Sequence, residues 1–132
     1  MKIKYVNQQD KLDIMNGEVI ADEASLVDLL NRRRSNAPFF GRFSGDNGFE
    51  LMIGMGGEIG CVQYSRTDGD PPYLVAVPPQ PRLTSGYVEF RTANTPTPVP
   101  ARNILTFDEL KKIALHFLET GERSDDFSWD SI

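Results

Sequence analysis

The side chains able to do chemistry are few in this sequence, and none has an evident chemical partner nearby. There is one histidine, His116, and one cysteine, Cys61, among 132 residues. Nucleophilic catalysis needs a base within hydrogen-bond reach of the nucleophile, and a zinc site needs about four Cys, His or carboxylate ligands. His116 stands three residues before Glu119 and four after Lys112, off the apolar stripe of its segment. It reads as a solvated helix histidine. Cys61 adjoins Val62 in a strand-like run. It reads as a small packed residue, because a reactive thiol needs a helix N-terminus or cationic neighbours.

Two further stretches imitate binding motifs. MIGMGGEIG (52–60) carries the first two glycines of a dinucleotide loop, Gly54 and Gly56, but Ile59 stands where the third belongs. A strand pattern follows where a helix is required, so these read as turn and sheet glycines. TDGDPP (67–72) sets Asp68 and Asp70 around Gly69, yet lacks the other ligands and closing glutamate of a calcium loop. Asp46, Glu50, Glu58 and Glu89 complete a scatter of carboxylates with no pair marked out as acid and base. The expectation is a binding or inhibitor module without metal, cofactor or catalytic residues, and not an enzyme.

The totals agree with a protein-binding role. Nineteen acidic against 14 basic residues leave a formal net charge of -5. That balance disfavours direct nucleic-acid binding, which needs basic surface to displace counterions, and disfavours an anionic membrane. It suits a basic protein partner, which acidic charge would steer. A single cysteine excludes an intramolecular disulfide and points to a reducing compartment. No apolar run approaches the ~20 residues of a membrane span, and the start MKIKYVNQQDKLD has no signal-like apolar core. A cytoplasmic location and a single domain over 1–132 are expected.

The elements that must position these residues follow from periodicity. KIKYV (2–6) fits a strand, and Val19 and Ile20 a second, short one. Asp22 is a plausible N-cap for a helix from about residue 23, marked by Ala24, Leu26, Val27 and Leu30. Arg32, Arg33 and Arg34 fall in its last turn, where cations suit the helix dipole. Strand patterns then recur at 39–45, 49–55, 58–65, 73–77 and 87–92, with turns at DNG (46–48) and Gly56-Gly57 and a proline loop over 78–86. ANTPTPVPARN (93–103) contains three prolines and reads as an extended crossing segment, neither central strand nor helix. Thr106 and Glu109 spell a capping box. Phe107, Leu110, Ile113, Ala114, Phe117 and Leu118 then recur at helical spacing, up to a stop at Gly121. The apolar stripe needs a surface, and the strands are the only candidate. The fold class expected is α+β: a single antiparallel meander with helices packed mainly on one face.

Two blocks also carry a family likeness. VPARNILTFDELKKIALHFLETGERSDDFSW (99–129) and the hairpin FELMIGMGGEIGCVQYS (49–65) resemble the first-numbered (Imm1-like) immunity-protein family of bacterial polymorphic toxin systems. The corresponding positions are Pro100, the helix to Phe117, Thr120-Gly121 with Arg123, Tyr64 and Trp129. Ser124 stands where the family often has proline. The resemblance implies a cytosolic antitoxin that binds a cognate toxin domain, in a 1:1 complex, and occludes it without chemistry of its own. It also implies a toxin acting on nucleic acid, with a deaminase favoured over a nuclease. A small-ligand or peptide module, with a cavity lined by Phe39, Phe40, Phe43 and Phe90, is the alternative.

Under the immunity reading the contact residues expected are exposed acids and aromatics of the strands and loops: Asp46, Glu58, Tyr64, Asp68, Asp70, Tyr73 and Glu89. Gly121 and Trp129 are expected to serve the fold. Phe127 and Trp129 lie two apart, so an extended tail would turn both to one side and pin itself to the body.

Overall fold

The computed structural model describes residues 1–81 and 85–132. Strands β1 (Ile3–Asn7) and β2 (Val19–Ile20) precede helix α1 (Glu23–Arg33). Four strands follow: β3 (Phe39–Gly45), β4 (Phe49–Gly56), β5 (Ile59–Arg66) and β6 (Tyr73–Val77). Strands β7 (Tyr87–Thr92) and β8 (Thr95–Pro100), a 3-10 turn (Ala101–Asn103) and β9 (Leu105–Thr106) lead into helix α2 (Phe107–Thr120), and β10 (Ser128–Ser131) comes after it. The α+β reading holds. The open sheet runs β10-β6-β5-β4-β3-β1-β2, with every neighbour antiparallel. The meander proper is β3 to β6.

Strand alternation decides where the main core sits. Ile3, Tyr5, Phe43, Leu51, Ile53, Met55, Val62 and Tyr64 share one face, as residues two apart must. Both helices cover that face, α1 with Leu26, Leu29 and Leu30, and α2 with Phe107, Leu110, Ile113, Ala114, Phe117 and Leu118. Asp22 caps α1 by accepting the Ser25 amide at 2.8 Å. In α2 the Thr106 hydroxyl accepts the Glu109 amide at 2.9 Å, and Glu109 accepts the Thr106 amide at 2.8 Å. That reciprocal pair fixes the helix start. At Gly60 a Cβ would stand 2.3 Å from both Leu110 Cδ2 and the Gly54 carbonyl. A glycine there lets α2 lie directly on the strands.

The opposite face carries a second, smaller core of Phe40, Cys61, Phe90, Val99 and Ile104. The β7–β8 hairpin supplies its lid. Phe39, Phe40, Phe43 and Phe90 are all nearly inaccessible, so they fill the two cores, and only Phe39 of the four edges an open surface depression, beside Asn7, Gln9 and Asn94. The hairpin also corrects the expected crossing segment. Residues 95–100 form a strand, joined to β7 through Ala93 and Asn94, both with positive φ. Thr92 pairs Thr95, which places Pro96, Pro98 and Pro100 opposite Arg91, Glu89 and Tyr87. In a hairpin closed this way those alternate residues turn their amides away from the partner. Proline, with no amide to offer, is tolerated there, and the edge is closed to further strands. The turn expected at Gly56-Gly57 sits one residue later, because Gly56 pairs Ile59 within the ladder. Of the proline loop expected over 78–86, residues 82–84 lie outside the described residues.

Candidate functional site

Among the described residues no three His, Cys, Asp or Glu side chains gather at metal-ligand spacing. Cys61 is fully buried, and burial pushes its thiol up to about 12. His116 is half-buried on α2. What the fold does assemble is charge.

The C-terminus of α2 meets the β3–β4 turn and the β5–β6 loop at one end of the sheet. Gly121 ends the helix in the left-handed region, with a φ of 76°. Its carbonyl accepts the Asn47 Nδ2 at 2.8 Å, and the Thr67 amide donates to the Gly48 carbonyl at 2.9 Å. Three chain segments thereby converge. A depression at this end is lined by Phe49, Tyr64, Pro72, Glu122, Arg123 and Asp125. Glu122 and Asp125 line it, and exposed Asp46, Asp68, Asp70 and Asp126 belong to the segments that converge at this end, as do the cations Arg66, Arg123 and Lys2, whose amide donates to Asp46. Asp68 is paired with Arg66, and its carboxyl is held down by the Asp70 amide and then by Arg66. The last turn of α2 carries no basic residue, so the negative helix end adds to the field, with Arg123 just beyond it as the cation in the depression.

The tail after Gly121 is pinned. β10 pairs β6 from Ser128↔Val77 to Ser131↔Leu74. The Trp129 indole donates to the Ser124 carbonyl at 3.0 Å and meets the Tyr64 ring edge-on at 6.2 Å. Tyr64 also stacks on Phe49 at 5.1 Å and meets Phe117 edge-on. Phe127 joins the main core. On the other face of β10, Arg102 grips Asp130 with two hydrogen bonds of 2.7 and 2.9 Å.

The opposite end of the sheet is organised around Asp13. Its carboxylate accepts Arg33 Nε and Nη2 at 2.8 and 2.6 Å, the Tyr5 hydroxyl at 2.8 Å, and Asn7 Nδ2 at 3.1 Å. Burial alone would raise this carboxyl, but Arg33, the Met15 amide, Asn7 and Tyr5 together hold it at about 2. Arg34 lies over the Phe107 ring at 3.6 Å and pairs Glu58 at 2.7 Å. Arg33 and Arg34 are thus engaged in structure, while Arg32 pairs, among the described residues, only with exposed Asp28 one turn back.

The seven expected contact residues are therefore divided. Asp46, Asp68, Asp70 and Tyr73 share the acidic end, where the Tyr73 hydroxyl donates to the Gly69 carbonyl. Glu58 is at the other end with Arg34, and exposed Glu89 is on the β7–β8 hairpin. Tyr64 is 7% exposed and belongs to the aromatic stack. Glu122, Asp125 and Asp126 were missed as surface partners of the loop acids. Their acidity was legible, but only the path of α2 brings them to the loops.

The model of the family described as Immunity protein Imm1 matches residues 14–131. The chain belongs to the Imm1 family of immunity proteins. The match takes in both helices, the meander and β10, and leaves out β1 and the first part of the loop after it. No curated protein matches the chain. Family membership makes this an immunity protein, whose partner is a toxin protein. No helix among the described residues is long and apolar enough to cross a membrane.

Proposed function

We propose that this immunity protein neutralises a toxin domain that acts on nucleic acid, by laying its acidic end over the toxin's basic groove. The carrying observation is the convergence of carboxylates from the β3–β4 turn, the β5–β6 loop and the segment after α2 at a helix C-terminus whose last turn carries no basic residue. A toxin that holds a polyanion needs cationic surface. A protein that presents carboxylates on a rigid frame competes for the same cations and is steered toward them. Asp46, Asp68, Asp70, Glu122, Asp125 and Asp126 are the anions of that face, and Tyr73 is its aromatic edge. Glu58 and Glu89 are outlying contacts of the same complex. The inhibition is occlusion in a 1:1 complex in the cytoplasm, with no chemical step on the inhibitor.

The toxin class rests on the family likeness, with a deaminase domain as the favoured target and a nuclease as the alternative. The test is co-expression with a candidate cognate toxin domain. Rescue of growth, together with suppression of base-conversion mutations in the host genome, is the expected result. Rescue from strand breaks without base conversion would assign a nuclease. Absence of both rescue and complex formation would remove the antitoxin reading.

A further inference from the structure

Residues 8–18 link β1 to β2 as a loop that is tied from within. Asn7 Oδ1 accepts the Gln9 and Asp10 amides, each at 2.8 Å. Asp10 accepts the Leu12 amide, and Asp13 the Met15 amide, both at 2.9 Å. Asn16 accepts the Asn7 amide at 2.6 Å and donates to the Asp10 carbonyl at 3.1 Å. Asp13 then bolts the loop to α1 through Arg33 and to β1 through Tyr5 and Asn7. Its two neighbours do the reverse. Leu12 is 87% and Ile14 90% exposed, the most accessible large apolar side chains among the described residues.

Isolated exposed aliphatics are ordinary on protein surfaces. This pair differs in its support. Both flank the best-anchored carboxylate described above, so both are held outward on a loop that has few alternative shapes. We propose that Leu12 and Ile14 form the apolar anchor of the immunity protein, inserted into an apolar socket on the toxin domain. The proposal rests on the antitoxin reading and adds a second contact to it. A loop ordered before binding avoids the entropy cost of fixing it in the complex. The two contacts have separate tasks. Exposed charge at the acidic end governs the encounter rate, and desolvated apolar anchors govern the lifetime of the complex.

One partner of ordinary interface size can span from the acidic end to the base of this loop. Asp46 accepts the Lys2 amide just before β1 begins, and the loop starts where β1 ends. β1 has five residues, a span of about 17 Å at ~3.4 Å per residue. A standard interface of about 800 Å² per partner is roughly 30 Å across.

The experiment measures association and dissociation of the catalytically inactivated toxin domain from which co-expression shows rescue, using wild type and a Leu12→Ser, Ile14→Ser double variant. Neither side chain packs in the core, so the melting temperature of the variant should equal that of wild type. The expected result is a dissociation rate raised at least about ten-fold, with the association rate within about two-fold. An unchanged dissociation rate with wild-type binding intact would overturn the anchor while leaving the antitoxin reading standing. Failure of wild type to bind would remove both. A wild-type dimer made monomeric by the double variant, with toxin binding unaffected, would assign the pair to self-association and likewise overturn it.

Discussion

Arg33 and Asp13 are twenty residues apart in sequence and meet through two hydrogen bonds, with the Asp13 side chain only 3% exposed and that of Arg33 17% exposed. A paired carboxylate this deep is a contact whose loss is costly, because the remaining charge is left buried without a partner. Asp13→Asn should lower unfolding stability by about 2–4 kcal/mol, measured by urea denaturation at pH 7.

The same pair sets an acid limit. The folded carboxyl titrates at about 2, below its ordinary value of 3.8. A depressed folded value means the stabilisation is fully present above pH ~5 and is lost as pH falls through 4 toward 2. The difference corresponds to roughly 2 kcal/mol. Urea midpoints should therefore drop between pH 5 and 2, and Asp13→Asn should flatten that drop. An equal drop in the variant would assign the acid sensitivity to other carboxylates.

Trp129→Ala should destabilise the fold by about 2–3 kcal/mol, from lost packing on Tyr64 and the lost bond to Ser124. That corresponds to a melting point lower by roughly 6–12 °C. Intact stability with abolished toxin binding would instead make the ring a contact residue.

Gly60→Ala should cost upwards of about 2 kcal/mol, because the added methyl meets Leu110 and the Gly54 backbone at once. Thr106→Ala, which removes half of the capping box, should cost about 1 kcal/mol. Thermal denaturation of both variants ranks the two effects. The reverse order would mean that α2 can slide off the strands at little cost.

Charge reversal at the acidic end tests the proposed encounter surface. Asp46→Lys, Asp68→Lys, Asp70→Lys and Asp125→Lys combined should cut the association rate with the toxin domain by ten-fold or more at low salt. It should also weaken the dependence of that rate on salt. The same substitutions at Glu58 and Glu89 should act more weakly, since both lie away from that end. An association rate unchanged by the four reversals would exclude electrostatic steering from this face.

Much of the fold was legible from residue order because the interactions that encode it are local. The Thr106–Glu109 box spans one helical turn, Asp22 caps a helix beginning next door, and the alternation through Leu51, Ile53 and Met55 needs only the pleat of one strand. The immunity-protein likeness also rested on short blocks of this kind. The prolines at 96, 98 and 100 misled for an equally physical reason. Proline excludes a central strand but not an edge whose outward amides are unused, and which edge lies open is decided by strand order. The seating of Trp129 against Tyr64, the meeting of Glu122 and Asp125 with the β5–β6 loop, and the Asp13–Arg33 pair all join residues distant along the chain. Sequence alone determined the elements, the acidic balance and the poverty of catalytic groups. Tertiary structure decided which carboxylates share an end and which aliphatics are held out to solvent. Those outcomes depend on how a helix crosses a sheet, and no stretch of neighbouring residues encodes that crossing.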